Sequence, residues 1–129
     1  MKKLSAILMA LLLLVGCAAA GGEKSYRQVS PDEAAKIMAE QTDYIILDVR
    51  TPSEFADKHI VGAVNIPNET IGSDEIPQLP DKEQLILVYC RSGNRSKQAS
   101  QKLVDLGYTN VVEFGGINDW KGDTESGIA

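Results

Sequence analysis

The run Leu85-Ile86-Leu87-Val88-Tyr89 constrains this chain more than any other feature. It leaves no polar face for water, so it reads as a strand covered on both sides, the habit of parallel sheets. It passes directly into the loop Cys90-Arg91-Ser92-Gly93-Asn94-Arg95-Ser96. A helical pattern follows over residues 96–106, with Ala99, Leu103 and Leu106 on one face and Gly107 placed to end it. Strand, short glycine-containing loop and helix together make half of a βα unit. A chain built from such units folds as an α/β sandwich.

The rest of the sequence fits the same alternation. Residues 26–29 form a possible short strand. Ser30-Pro31-Asp32-Glu33 is a capping box with proline at the first helical position. The helix it opens should run to about Gln41 and bury Ala34, Ile37 and Met38. Residues 44–49 form a second apolar run, with Asp48 near its end, that suits a strand covered on both faces. Thr51-Pro52-Ser53-Glu54 repeats the capping signature and starts a short helix through Phe55 to about Lys58. Gly62 precedes a short strand over 63–66, and a helical turn is expected at 68–71. A last strand covers 111–114, and Gly115-Gly116 leads into a final short helix around 118–121. The expectation is a mainly parallel five-stranded sheet flanked by helices, formed by residues 26–129. In such sheets ligands bind beyond the carboxyl ends of the strands, and Cys90 occupies one of those ends.

The first residues do not belong to that domain. Lys2 and Lys3 precede an almost wholly apolar stretch over 4–15, and Gly16 precedes Cys17. This is the layout of an export signal, and it is short for a membrane-spanning helix of about 20 residues. Leu14-Val15-Gly16-Cys17 resembles the lipobox of bacterial lipoproteins. The resemblance implies cleavage of residues 1–16, lipid on Cys17, and a linker over 17–25. The protein is then expected in the cell envelope, held to a bacterial membrane and facing outside the cytoplasm. Stretched out, residues 18–24 reach only about 25 Å, so the domain should hang close to the bilayer.

Charge and cysteine content narrow the function. The net charge is −5, and removal of Lys2 and Lys3 makes the remainder more acidic still. Beyond Arg91 and Arg95 there is no basic stretch, so nucleic acid is not an expected partner. The sequence contains two cysteines. If Cys17 carries lipid, Cys90 is the one remaining thiol, and it is either reactive or paired with another chain. One thiol and one histidine do not make a metal site, and no cofactor is expected. Nothing in the sequence calls for an obligate dimer, so a monomer is expected.

The loop after Cys90 is suited to holding an anion. Gly93 permits a positive φ and lets the chain curl. Backbone N–H groups of residues 91–96 can then point at the sulfur, and the helix dipole adds to them. Such settings favour the thiolate, the reactive form of the side chain. Arg91 and Arg95 offer fork-shaped donors for an oxyanion, and Arg91 is the better placed to meet an incoming one. Ser92 and Asn94 are expected to act mainly through their backbone N–H groups. His59, the only histidine, precedes a turn and reads as a structural group at a helix end rather than a base for Cys90.

Three segments carry a family resemblance. Leu47-Asp48-Val49-Arg50, with Glu54-Phe55 and the stretch from His59 through Pro67, resembles the first signature of rhodanese domains. Val88-Tyr89-Cys90 through Ser96 resembles their active loop, and Gly115-Gly116 through Trp120 their closing motif. The resemblance implies a single-domain sulfurtransferase. Cys90 would take a sulfane sulfur from thiosulfate or a persulfide, hold it as a persulfide, and pass it to a thiophilic acceptor. Arg91, Ser92, Gly93, Asn94, Arg95 and Ser96 would bind the substrate. Four residues separate Cys90 from Arg95, whereas cysteine phosphatases that resemble this fold use five, so the tighter loop suits sulfur better than phosphate. The alternative is a non-catalytic envelope module that binds an anion or a partner. Outside the cytoplasm a thiol of this kind is open to oxidation, which makes a reducing or sulfur-accepting protein a plausible partner.

Other residues have quieter readings. Asp48 and Arg50 read as an ion pair bracing the active loop. Glu54 either pairs with Arg95 or only caps its own helix. Phe114 and Trp120 read as core or lid packing, and Asp74-Glu75 as a solvated loop.

Overall fold

A computed structural model describes residues 25–128. The expected signal segment, Cys17 and the linker up to Lys24 lie outside the described residues. In chain order the elements are β1 (Arg27–Gln28), α1 (Pro31–Glu40), β2 (Tyr44–Asp48), α2 (Pro52–Asp57), β3 (His59–Ile60) and β4 (Val64–Asn65). They continue with β5 (Leu85–Cys90), α3 (Asn94–Asp105), β6 (Val111–Gly116) and β7 (Thr124–Glu125). Single 3-10 turns occupy Asn68–Thr70 and Ile117–Asp119.

Five strands form one sheet in the order β1-β6-β5-β2-β4, and every pairing is parallel. β5 lies at its centre because its side chains need cover on both faces. Alternation along it sorts the core. Ile86, Val88 and Cys90 point to the face that α3 covers, where they meet Ala99, Leu103 and Val104. Leu87 and Tyr89 point to the other, where they meet Ala34, Phe55 and Phe114. Ile37 and Met38 pack against this second cluster while remaining partly exposed.

Both capping signals work as their chemistry demands. The Ser30 hydroxyl accepts the Glu33 N–H at 3.1 Å. Thr51 accepts from the Glu54 N–H while the Glu54 carboxylate takes the Thr51 N–H, a complete reciprocal box. Two elements differ from the sequence expectation. Helix α3 starts at Asn94, two residues early, because Gly93 adopts φ 112° and its carbonyl accepts the Lys97 N–H at 3.2 Å. The final helix is only a 3-10 turn, closed by the Trp120 N–H on the Ile117 carbonyl. The antiparallel pair β3–β7 was not expected; it ties the end of the chain to His59 and Ile60.

Candidate active site

β5 delivers Cys90 to the carboxyl end of the central strand, and only Arg91, Ser92 and Gly93 separate it from α3. The sulfur therefore lies under the first helical turn. The Gly93 N–H donates to Cys90 Sγ at 3.0 Å. The Ser92 and Ser96 N–H groups also act on it, and the Ser96 hydroxyl lies 3.5 Å away. Burial, the largest influence, pushes the Cys90 thiol up. The Ser96 hydroxyl and the N–H groups of Ser96, Gly93 and Ser92 outweigh it and leave the thiol below its ordinary range. Cys90 is 1% exposed.

The loop is seated on the end of β6. A Cβ on Gly116 would stand 1.9 Å from the Arg91 carbonyl oxygen, so glycine is required there. The same carbonyl accepts the Asn118 N–H at 3.2 Å. Gly93 packs just above the Gly115 backbone. The Gly-Gly of the closing motif thus gives the reactive loop room to lie flat against the sheet.

The expected site residues divide into three groups. Cys90, Ser92, Gly93 and Ser96 converge on the sulfur, the Ser92 contribution coming from its backbone. The Arg91, Ser92 and Asn94 side chains are exposed around the rim. Arg95 turns toward α2, where its guanidinium forks onto Glu54 at 2.7 and 3.0 Å. Glu54 therefore both caps its helix and holds Arg95. The hydrogen bond from Arg95 holds the Glu54 carboxyl down at about 2, against an ordinary 4.5, with burial opposing and Thr51 helping.

Asp48 and Arg50 form a buried brace at the end of β2. Arg50 meets both Asp48 oxygens, the closest at 2.7 Å, and donates to the Lys58 carbonyl at 2.6 Å. The Tyr89 hydroxyl donates to Asp48 at 2.6 Å and accepts the Ile60 N–H at 3.1 Å. Burial first, and then the Asp48 charge and hydrogen bond, keep this phenol well above its usual range. His59 is fully engaged elsewhere. It stacks on Phe55 at 3.7 Å between ring centroids, and its nitrogens meet the Phe55 carbonyl and Glu125.

Beside the loop opens a cleft of about 400 Å³, whose walls include Arg50, Glu54, Lys58, Arg91, Asn118 and Trp120. A larger hollow of about 560 Å³ lies at the amino ends of the strands, among Arg27, Glu40, Asp43 and Gln84. It holds no nucleophile and is far from the chemistry in topology.

One site residue was missed in the sequence. Glu113 on β6 is 2% exposed, and its Oε2 accepts the Ser96 hydroxyl at 2.5 Å and the Gly115 N–H at 2.8 Å. The available signal was an acid inside a strand that is otherwise apolar on both faces.

The site is thus a cysteine whose sulfur faces backbone amides between a parallel strand and a helix. Residues 30–123 match the Rhodanese-like domain family. The chain belongs to that family and is a rhodanese-type sulfurtransferase. It is 38% identical over 73 residues to the thiosulfate sulfurtransferase PspE of Escherichia coli K12, covering 57% of this chain and 70% of that one. It is 31% identical to the thiosulfate sulfurtransferase GlpE of Pseudomonas entomophila, covering 81% of this chain and 96% of that one. Among solved structures, a rhodanese with anions from E. coli superimposes with a TM-score of 0.60 at 34% identity, over 65% of this chain and 99% of the other.

Proposed function

We propose that this chain carries a sulfane sulfur as a persulfide on Cys90, taking it from a small anionic donor and handing it to a thiophilic acceptor. The observation that carries the reading is the Gly93 N–H at 3.0 Å from Sγ, with the Ser92 and Ser96 amides beside it. With thiosulfate, the Cys90 thiolate attacks the outer sulfur. A new S–S bond forms, the donor's S–S bond breaks, and sulfite leaves with the electron pair. The negative charge stays on the transferred sulfur, so the same amides that stabilise the thiolate serve the persulfide. An acceptor thiolate or cyanide then attacks that outer sulfur and frees the Cys90 thiolate. Neither half needs an external oxidant. Arg91, exposed at the rim and lining the cleft, supplies the fixed positive charge that draws the anion in.

Incubation with thiosulfate followed by intact mass analysis tests this. The expected result is a gain of one sulfur atom, reversed by dithiothreitol or cyanide and abolished in Cys90→Ser. Absence of an adduct from thiosulfate and from every persulfide donor overturns it, and absence of turnover would leave a binding module instead.

The same proposal places the domain at a membrane surface through lipid on Cys17. Its support is the order Lys2-Lys3, apolar stretch, Leu14-Val15-Gly16-Cys17. Two or more acyl chains would hold it stably. Labelled palmitate should enter the wild-type chain and not Cys17→Ser; equal or no labelling of both rejects the anchor.

A further inference from the structure

The Ser96 hydroxyl is surrounded by more acceptors than it can serve. It has one proton. Within reach are Glu113 Oε2 at 2.5 Å, the Gly93 carbonyl at 3.0 Å, the Gly115 carbonyl at 3.3 Å and Cys90 Sγ at 3.5 Å. Ser96 is 0% exposed and Glu113 2%, so bulk water does not relieve the competition. The contact to Glu113 is the shortest, and a charged acceptor makes the stronger bond.

We propose that Glu113 is a positioning residue for the Cys90 sulfur: its carboxylate competes with the sulfur for the single Ser96 proton. Glu113 Oε2 accepts the Ser96 hydroxyl and the Gly115 N–H together. The help the Ser96 hydroxyl gives the thiolate is then weaker than it would be without the carboxylate. When the charge at position 113 is absent, the Ser96 proton is free to swing to the sulfur, and this suits the thiolate. Glu113 thus restrains a nucleophile that the backbone amides promote. The other charged groups around the loop are Arg95, held by Glu54 of α2, the exposed Arg91, and the Asp48–Arg50 pair at the end of β2. None of these side chains bonds to Ser96 or Glu113 among the described residues, so the hydroxyl is the specific link. The consequence for sulfur transfer rests on the persulfide reading above, but the link itself does not.

The test is the pH profile of Cys90 alkylation by iodoacetamide, read by mass spectrometry of the Cys90 peptide in the full chain. In Glu113→Gln the midpoint falls by about one pH unit relative to wild type, in the range that one nearby like charge produces. In Glu113→Met, which keeps the volume and removes the charge, it falls in the same direction, and this variant decides the matter should the glutamine variant fail to fold. In a Ser96→Ala background the effect of Glu113→Gln shrinks to less than half. A midpoint that rises or stays fixed overturns the proposal, because a residue that merely props the loop would loosen the amides and raise it. A full-sized effect without the Ser96 hydroxyl also overturns it. Alkylation needs no sulfur transfer, so failure here is separable from failure to form a persulfide.

Discussion

Two adjacent strands, β2 and β5, end in an acidic side chain, Asp48 and Cys90, and the molecule treats the two differently. At the end of β2, the fully buried Asp48 is matched by the Arg50 guanidinium and the Tyr89 hydroxyl. At the end of β5, the Cys90 sulfur meets backbone amides and one hydroxyl. The β2 charge is neutralised by a formal positive charge within bonding distance and has nothing left to offer a ligand. At the end of β5, dipoles favour the thiolate form of Cys90 without a formal positive charge to cancel it. A buried carboxylate paired with a guanidinium is locked in place, whereas a sulfur held by backbone dipoles stays free to change partners.

Either strand end can be disrupted by a single substitution. The largest expected effect is on the sulfur's seat. Gly116→Ala pushes a methyl group into the Arg91 carbonyl, so the amides move off Sγ. Sulfur transfer should fall by about 100-fold, the order expected for an ångström-scale misplacement, while the far-ultraviolet circular dichroism stays native. Near wild-type transfer would show that the loop does not depend on that seat.

Next comes the brace. Asp48→Asn strands the Arg50 charge, which is 5% exposed. Removing one partner of a buried pair costs about 3–5 kcal/mol, which urea unfolding should report. A loss below about 1 kcal/mol would mean the pair is not truly desolvated.

Arg95→Ala should act more mildly on stability. The pair with Glu54 is partly exposed, with side chains at 31% and 25%, so its loss should cost roughly 1 kcal/mol after solvent screening. Persulfide formation should weaken with the fold retained. An unchanged rate would place Arg95 in the scaffold alone.

The smallest effect is in the acid range. Folding lowers the Glu54 carboxyl from an ordinary 4.5 to about 2. The stability this contributes is fully present above pH 4.5 and is lost as pH falls toward 2. The difference in unfolding free energy between wild type and Glu54→Gln should therefore shrink across that interval. A constant difference from pH 6 to pH 2 would argue against the ion pair.

What could be read in the sequence follows from the range of the interactions. Capping boxes at Ser30 and Thr51 are closed within three residues, so both helix starts were visible in the chain itself. The apolar runs at β2 and β5 announced a sheet covered on both faces, and Gly93 announced the positive-φ turn that brings its N–H to Cys90 Sγ. The Glu54–Arg95 fork spans 41 residues, and the sequence left it undecided against simple capping. The β3–β7 pair joins two-residue strands that no periodicity can reveal. Glu113 stayed hidden because its partner Ser96 lies 17 residues away across a strand–helix junction.

The left-handed turn at Gly93 fixes the rotational phase of α3 relative to the sulfur. An α-helix advances by about 100° per residue. Lengthening the segment between Cys90 and Gly93 by a single position would therefore widen the cradle and swing the Ser96 amide about a quarter-turn away from Sγ. The span of the cradle is thus set by the number of residues between Cys90 and Gly93.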